Sequence, residues 1–249
     1  MSRKTFFLFL VYLSVPLALG SLELALRLWA PRLGNPIVRL SMHDGIEWFE
    51  VNRSYLARYF PPSSPMVPEF KPALFRKEKQ PNTIRVFCLG SSTMFGTPYN
   101  MTANIPALMR KQLRRRFPEH EVEVVNFAAS AINSNVARHL SSELTAFEPD
   151  LVAVMVGHNE FYGPDGIGAG PLERLIPSAI QWKYDLRDSR VLTWLLSLIT
   201  TAPASGSGER NLMREVSKGS EVALGTPESD RVLALFETIL AATVEIWQR

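Results

Sequence analysis

The sequence is poor in the residues that build covalent and metal-based sites. It has one cysteine, Cys88, in 249 residues, which excludes an intramolecular disulfide. Cys88 lies inside an apolar run, and we interpret it as a small buried hydrophobe, with a catalytic thiol as the alternative. No metal-ligand spacing stands out, and we predict neither a metal nor a cofactor. The net charge of +3 gives no ground for a nucleic-acid partner.

The amino terminus differs from the rest of the chain. Arg3 and Lys4 precede residues 6–22, which carry no charge, and apolar residues continue beyond Glu23. The stretch approaches the roughly 20 residues that a membrane span requires. We therefore predict a signal anchor, a transmembrane helix over residues 1–30, with its basic end in the cytoplasm and the rest of the chain on the periplasmic side. A cleaved signal peptide and a buried amphipathic helix are the alternatives.

Residues 31–80 contain seven prolines and several aromatics. This composition is typical of an extended linker or of a lip that packs on a neighbouring domain, and it does not indicate a repeat or an independent fold. We therefore predict that residues 31–80 form either an extended linker or such a lip.

From Thr83 onward, buried strands alternate with amphipathic helices. The strands are "TIRVFCL", "EVEVVNF" and "DLVAVMV", and the helices are "NIPALMRKQLRRRF" and "SNVARHLSSELTAF". The pattern predicts the α/β class, with a doubly wound, flavodoxin-like parallel sheet in three α/β/α layers over residues 81–249. Right-handed crossovers would bring the carboxyl ends of the three strands to one edge, where such folds bind ligands.

The carboxyl-terminal third is less regular. Residues 172–201 are predicted to be helical, and Thr226 is predicted to cap a helix that starts at Pro227. No strand follows that helix before Arg249, so we expect the α/β domain to be incomplete at its carboxyl end.

The three segments at the strand ends are "GSSTMFG", "NFAASAINS" and "GHNEFYG". They resemble three sequence blocks of the SGNH (GDSL-type) hydrolases, and in particular a bacterial membrane-anchored branch of that family, over residues 83–165. In the first block the match is Gly90, Ser91 and Ser92, although Ser91 stands where the family has an acidic residue. The resemblance implies that Ser92 is the catalytic nucleophile.

The same resemblance implies an oxyanion hole. Ala128 stands where the second block has a glycine, and Asn159 matches the asparagine of the third block, with Glu160 in place of an aspartate. The donors would be the N–H groups of Ser92 and Ala128 and the side-chain amide of Asn159. Such donors stabilise the negative charge of an acyl-transfer transition state, each by about 3 kcal/mol.

The catalytic base is the missing part. The family takes it from an Asp-x-x-His, and this sequence contains none. Of its histidines, His158 lies beside the third strand end but at a position that varies in the family. Two explanations stay open. The chain is cut short before its Asp-x-x-His, in which case this piece is inactive, or the protein does not hydrolyse esters.

Three functions follow from these observations. The first is a membrane-anchored serine esterase or acyltransferase that acts on ester-bearing small molecules or on O-acetyl groups of an envelope polysaccharide. The second is a non-catalytic carbohydrate-binding module, and the third is an interaction protein whose anchor and "RVLTWLLSLI" segment assemble it with protein partners in a membrane complex. A basic cluster at residues 110–116 is interpreted as a solvated helix face, with anionic lipid or nucleic acid as the alternative contact.

Overall fold

The computed structural model describes residues 3–29, 36–60, 67–99, 102–161, 163–164 and 225–248, together with the single positions 184, 186, 189 and 191. The chain divides into two compact units. The first comprises Met1–Asn35 and Trp182–Pro203, and the second comprises Pro36–Gln181 and Ala204–Arg249.

The first unit is built around helix α1 (Arg3–Trp29), which contains Pro16. Glu23, the charge that interrupts the apolar stretch, has partners: its Oε2 accepts hydrogen bonds from the Ser189 hydroxyl (2.8 Å) and the Val191 N–H (3.0 Å). The helix predicted over residues 172–201 otherwise lies outside the described residues.

Across the described ranges, no helix combines the length and the apolar character needed to cross a membrane. The transmembrane span predicted for residues 1–30 is therefore not supported by α1.

The second unit begins with a small antiparallel sheet of strands β1 (Val38–His43), β2 (Ile46–Val51) and β3 (Leu74–Arg76), in the order β1-β2-β3. A 3₁₀ helix (Arg53–Tyr59) follows β2. These elements lie in the segment predicted as a linker or lip, and the sequence analysis did not predict them. The sequence did contain a hairpin signal, the Asp44–Gly45 pair, which is typical of two-residue turns. Both residues have the positive φ that such a turn requires.

The predicted alternation of strands and helices is confirmed. Strands β4 (Thr83–Gly90), β5 (Glu121–Asn126) and β6 (Leu151–Met155) form a parallel sheet. The helices are α2 (Ser92–Phe95), α3 (Ile105–Arg116), α4 (Ser134–Leu144) with a 3₁₀ turn (Thr145–Phe147), and α5 (Pro227–Gln248). The predicted cap of α5 is also confirmed, because the Thr226 hydroxyl accepts the Ser229 N–H at 3.2 Å. The protein is a mixed α/β protein with a parallel sheet.

The order of the parallel strands is β5-β4-β6. The chain leaves β4 toward one side of the sheet to form β5, and later returns on the other side to form β6. This reversal is a topological switch point, and in open α/β sheets the crevice at the carboxyl ends of the strands there is the usual ligand site. The end of β4, where Ser91 and Ser92 follow, lies at this point.

Aromatic rings join the two sheets. Phe75 of β3 packs against Phe87 of β4, with ring centroids 5.6 Å apart, and against Phe127 just after β5, at 6.3 Å. All three side chains are fully buried. The antiparallel sheet therefore contributes to the core of the α/β unit through its third strand.

A buried ion pair holds the amino end of the parallel sheet. The side chain of Arg85, 1% exposed, donates from Nε to Glu123 on the neighbouring strand at 2.7 Å. Its two terminal nitrogens donate to the carbonyl oxygens of Phe147 (2.7 Å) and Arg76 (2.8 Å). Glu123 in turn accepts the Arg76 N–H at 2.9 Å. One guanidinium thus links β3, β4, β5 and the turn before β6.

We expect Arg85→Met to lower the free energy of unfolding by about 3–5 kcal/mol, because the Glu123 carboxylate would remain buried without its cation. Urea unfolding measures the change. Lys77→Met is the matched control: the Lys77–Glu47 pair has the same 2.7 Å separation, but both side chains are 44% exposed. Its loss should stay below about 1 kcal/mol. Equal losses in the two variants would contradict the assigned importance of burial.

Candidate functional site

One peptide group joins the exits of all three parallel strands. The carbonyl oxygen of Gly90 accepts the Ala129 N–H at 3.0 Å, and the N–H of Ser91 donates to the Met155 carbonyl at 3.1 Å. Gly90 and Ser91 share this peptide bond, so the exit of β4 is fixed on one side to the loop after β5 and on the other to the end of β6. The segments that carry Ser92, Ala128 and Asn159 therefore meet at one edge of the sheet.

The close approach requires glycine at position 90. A Cβ on Gly90 would collide with the carbonyl oxygen of Met155 and lie 2.8 Å from the Cβ of Met94. Real side chains do not accept such distances, and one of the colliding atoms belongs to the backbone. The glycine thus allows β4 and β6 to stay paired up to the residue before the serines.

Ser92, the predicted nucleophile, is the first residue of the short helix α2 and is half-buried. Ser91 precedes it in an extended conformation and accepts the Phe95 N–H at 2.9 Å with its backbone oxygen. The first N–H groups of a helix have no partner inside the helix, so the Ser92 N–H points out of α2. The Ser92 hydroxyl makes no hydrogen bond to any residue in the described part of the chain.

Two other polar atoms of the site are buried and lack a partner. Neither the Ser91 hydroxyl nor the Asn159 Oδ1 has a hydrogen bond within the described ranges, and the two residues are 0% and 1% exposed. Buried polar groups are nearly always hydrogen-bonded, so each such atom needs an explanation. Both lie at the switch point of the sheet.

Ala128, the second predicted oxyanion donor, is fully buried, and its N–H donates to the Asn126 Oδ1 at 3.0 Å. The Nδ2 of Asn126 makes a longer contact, 3.4 Å, to the Phe95 carbonyl of α2. In this conformation the Ala128 N–H is engaged by Asn126, and a ligand would reach it only after the Asn126 side chain rotates away.

Asn159, the third predicted donor, is held by the loop after β5. Its Nδ2 donates to the Ile132 carbonyl at 2.8 Å, and its backbone oxygen accepts the Gly163 N–H at 2.6 Å. An amide nitrogen carries two hydrogens, so one of them is left for a further acceptor. The hydrogen bond to Ile132 therefore fixes the orientation of the amide, and the second Nδ2 hydrogen can donate to a ligand.

Glu160 ties the third strand exit to helix α4. Its carboxylate accepts the Ser134 N–H (3.1 and 3.3 Å), the Ser134 hydroxyl (2.6 Å) and the Gly157 N–H (3.1 Å). Burial raises the pKa of this carboxyl, and the hydrogen bonds from Ser134 and Gly157 act in the opposite direction. A negative charge at the first turn of a helix is also favoured by the helix dipole. Glu160 is thus a structural anchor for the Asn159 loop.

None of the four histidines forms a hydrogen bond with Ser92 in the described part of the chain. His43 is exposed on β1, His120 faces Glu119 at 3.0 Å, and His158 is exposed just after β6. Of these, His158 is the histidine on the site edge of the sheet.

The fourth, His139, belongs to a buried network between α4 and the 3₁₀ helix after β2. Its Nδ1 lies 2.6 Å from the Tyr59 hydroxyl, and the residue is 2% exposed. Tyr55 donates to Glu143, and Arg58 donates to the Tyr55 hydroxyl at 3.1 Å. Burial, with a smaller contribution from the charge of Arg58, lowers the pKa of His139 to about 4. This histidine is a neutral packing residue.

Cys88 is fully buried in β4, and its burial raises the pKa of the thiol to about 12, so it is protonated near neutral pH. This agrees with its interpretation as a buried hydrophobe. Nowhere in the described ranges do three or more His, Cys, Asp or Glu side chains come together in a metal-binding group.

Sequence reasoning missed Asn126, and it noted Glu160 only as the replacement for an aspartate, without a structural role. Asn126 bridges the Ala128 loop and α2, and Glu160 caps α4 from 26 positions away. An asparagine that ends a strand and precedes small residues is a recognisable local signal for such a turn. Glu160 has no comparable signal, because its partner is distant in the sequence.

Comparison with known proteins adds little to this picture. No model of a known protein family matches the chain, and no curated protein matches it. Among solved structures, the chain is similar to a mutant of the esterase AlinE4, with 15% sequence identity, a TM-score of 0.31 and coverage of 65% of this chain and 73% of that chain.

We expect Glu160→Gln to destabilise the protein by about 1–3 kcal/mol, because one carboxylate oxygen becomes an NH₂ donor that faces the donors of Ser134 and Gly157. Thermal or urea unfolding measures the loss. Glu237→Gln makes the same chemical change on the exposed side of α5 and should alter stability little. A loss of similar size in both variants would count against the anchoring role.

The pKa of His139 predicts a pH dependence of stability. Between its pKa of about 4 in the folded protein and the usual value of about 6.5, the unfolded chain binds a proton that the folded protein does not. The free energy of unfolding should therefore fall as the pH is lowered through this window, by up to about 3 kcal/mol.

Urea unfolding at several pH values measures this dependence. His139→Gln should flatten the curve, whereas the control His43→Gln, which replaces an exposed histidine, should leave it as in the wild type. An unchanged slope in His139→Gln would show that other groups cause the acid sensitivity.

Proposed function

We propose that residues 81–249 form an SGNH-like domain of the serine esterase or acyltransferase type, with Ser92 as its nucleophile. In this proposal the three described parallel strands belong to a doubly wound, three-layer sheet. The single observation that carries it is the Gly90–Ser91 peptide group, which hydrogen-bonds to both neighbouring strand exits and so places Ser92 at the switch point of the sheet.

The proposed reaction is attack of the Ser92 hydroxyl on an ester carbonyl, which forms an acyl-serine and releases the alcohol. The carbonyl oxygen becomes negative in the transition state. The Ser92 N–H, the Ala128 N–H and the remaining Nδ2 hydrogen of Asn159 are the proposed donors to it. Of these, the Ala128 N–H requires a rotation of Asn126, because the Asn126 Oδ1 now occupies it.

The proton of Ser92 requires a base, since a serine hydroxyl is a poor nucleophile by itself. In the described part of the chain no histidine hydrogen-bonds to Ser92, and the sequence has no Asp-x-x-His. We therefore expect acylation of Ser92 by ordinary esters to be slow in this chain. A strongly electrophilic probe is the appropriate test of the nucleophile.

We propose an O-acetylated polysaccharide of the cell envelope, or a small ester, as the substrate. This substrate is consistent with the proposed location of the domain on the periplasmic side of the inner membrane. In this proposal the amino-terminal segment contacts the membrane, and the protein has no nucleic-acid partner. The basis is the basic, apolar amino terminus and the family resemblance.

One observation favours a second function, a non-catalytic carbohydrate-binding module. The Ala128 N–H is engaged by Asn126, while Ser91 Oγ and Asn159 Oδ1 are buried without a partner in the described residues. A cleft that binds without turnover needs polar atoms to orient a ligand but no activated nucleophile. Sugar hydroxyls can donate to an amide oxygen and accept from a hydroxyl.

We expect a fluorophosphonate probe to label the wild-type chain covalently and Ser92→Ala not at all, as gel fluorescence and intact-mass spectrometry would show. Ser91→Ala is the matched control: it removes the neighbouring hydroxyl, which is buried, and should be labelled like the wild type. Asn159→Ala should slow labelling by about 100-fold if its amide stabilises the oxyanion.

Equal labelling of wild type and Ser92→Ala would refute the nucleophile. An unlabelled but folded wild type that binds acetylated oligosaccharides, and loses that binding in Asn159→Ala, would favour the binding module.

A further inference from the structure

Helix α3 carries a concentrated positive charge that the proposed function does not use. Five of the seven residues at positions 110–116 are basic, and the helix sequence, "IPALMRKQLRRR", contains no acidic residue. Within an isolated helix such charges repel one another at spacings of three and four residues. The basic cluster consists of Arg110, Lys111, Arg114, Arg115 and Arg116.

No side chain of the basic cluster forms a salt bridge with an acidic residue in the described ranges. The nearest acid in the sequence, Glu119, faces His120 instead. Elsewhere in the same unit, cations are paired: Lys77 with Glu47, Lys79 with Asp150 and Arg85 with Glu123. Within the described residues, the positive charge of α3 therefore has no acidic side-chain partner, in contrast to Lys77, Lys79 and Arg85.

The cluster is anchored to the sheet. The Nη2 of Arg110 donates to the Val124 carbonyl of β5 at 2.6 Å, which fixes one guanidinium in place, and its other N–H groups have no hydrogen-bond partner among the described residues. Burial, and to a smaller degree the neighbouring charge of Arg114, lowers the pKa of Arg110. An anion bound between these two side chains would relieve their repulsion.

The cluster also lines a groove. A depression of about 470 Å³ lies along this face of α3. That volume is in the range of small-ligand sites, about 300–1,000 Å³. Arg110 and Arg114, and likewise Lys111 and Arg115, are one helical turn apart and so share this side of the helix. The lining residues are Thr102, Ala107, Arg110, Lys111, Arg114 and Arg115.

The groove fits a compact anion better than a long one. From Arg110 to Arg116 the helix rises about 9 Å, which matches one or two phosphate groups and is short for a nucleic-acid duplex. Guanidinium groups bind phosphate oxygens with two parallel hydrogen bonds, and three of the four cations that line the groove are arginines. We propose that this groove binds a ligand that carries a phosphate or diphosphate group.

Phosphate binding in this groove does not depend on Ser92 chemistry. A phosphate group can belong to a free phosphate ester or to a lipid headgroup, and the recognising chemistry is the same for both. Ser92→Ala should therefore bind the phosphate ligand like the wild type, whatever the outcome of fluorophosphonate labelling.

The test is calorimetric titration of the full chain with inorganic pyrophosphate at low ionic strength, where screening is weak. We expect Arg114→Gln/Arg115→Gln to reduce the affinity by about tenfold or more, because charge-assisted hydrogen bonds are lost. The control is Arg39→Gln/Arg231→Gln, which removes the same two charges from exposed positions on β1 and α5. It should change the affinity by less than about twofold, because neither residue lines the groove.

Absence of pyrophosphate binding to the wild type, or an equal loss of affinity in both double variants, would overturn the site. A single-stranded oligonucleotide that binds far more tightly through Arg114 and Arg115 would overturn its assignment to a compact phosphate ligand. Once pyrophosphate binding is established, vesicles can be tested as competitors. Competition by vesicles that contain phosphatidic acid, but not by phosphatidylcholine vesicles, would support the site and indicate that the phosphate group belongs to a lipid headgroup. Lack of competition by either kind of vesicle would support the site and indicate a soluble phosphate ester.

Discussion

The architecture of the candidate site depends on one peptide group. Because a trans peptide is planar, its C=O and N–H point in opposite directions, and the Gly90–Ser91 group uses both, toward Ala129 on one side and Met155 on the other. The exit of β4 therefore cannot move without breaking a hydrogen bond to a neighbouring strand exit. Ser92 is placed by this constraint, and the absence of a side chain at Gly90 makes the approach to Met155 possible.

The two ends of the parallel sheet are stabilised in different ways. At the amino end, Arg85 and Glu123 form a buried pair that is also hydrogen-bonded to the Phe147 and Arg76 carbonyls and to the Arg76 N–H. At the carboxyl end, Glu160 holds the last loop, but Ser91 Oγ and Asn159 Oδ1 have no partner in the described residues. Buried groups with unused hydrogen-bonding capacity cost stability, and such groups commonly mark sites where a ligand binds. The two unpartnered atoms at the carboxyl end lie at the switch point of the sheet.

The segment before the parallel sheet shows how far composition alone can be trusted. Its prolines favour a linker, yet β1, β2 and β3 form a sheet whose Phe75 enters the main core. Most of the prolines of this segment lie in residues 61–72, whereas the hairpin signal is the Asp44–Gly45 turn further upstream. The composition of the whole segment therefore did not reveal a hairpin that two residues indicate.

The sequence by itself determined the elements of the α/β unit, because hydrophobic periodicity and helix caps are local properties. It indicated the strands β4, β5 and β6, helices α3 and α4, and the Thr226 cap of α5, and it pointed to the three strand ends as the place for chemistry. Only the tertiary structure decided which polar groups satisfy one another. Asn126 engages the Ala128 N–H, Glu160 binds Ser134, His139 pairs with Tyr59, and the α3 cations have no acidic partner in the described ranges. Glu160 and Ser134 are 26 residues apart, and His139 and Tyr59 are 80 apart, so no local pattern encodes these two pairs.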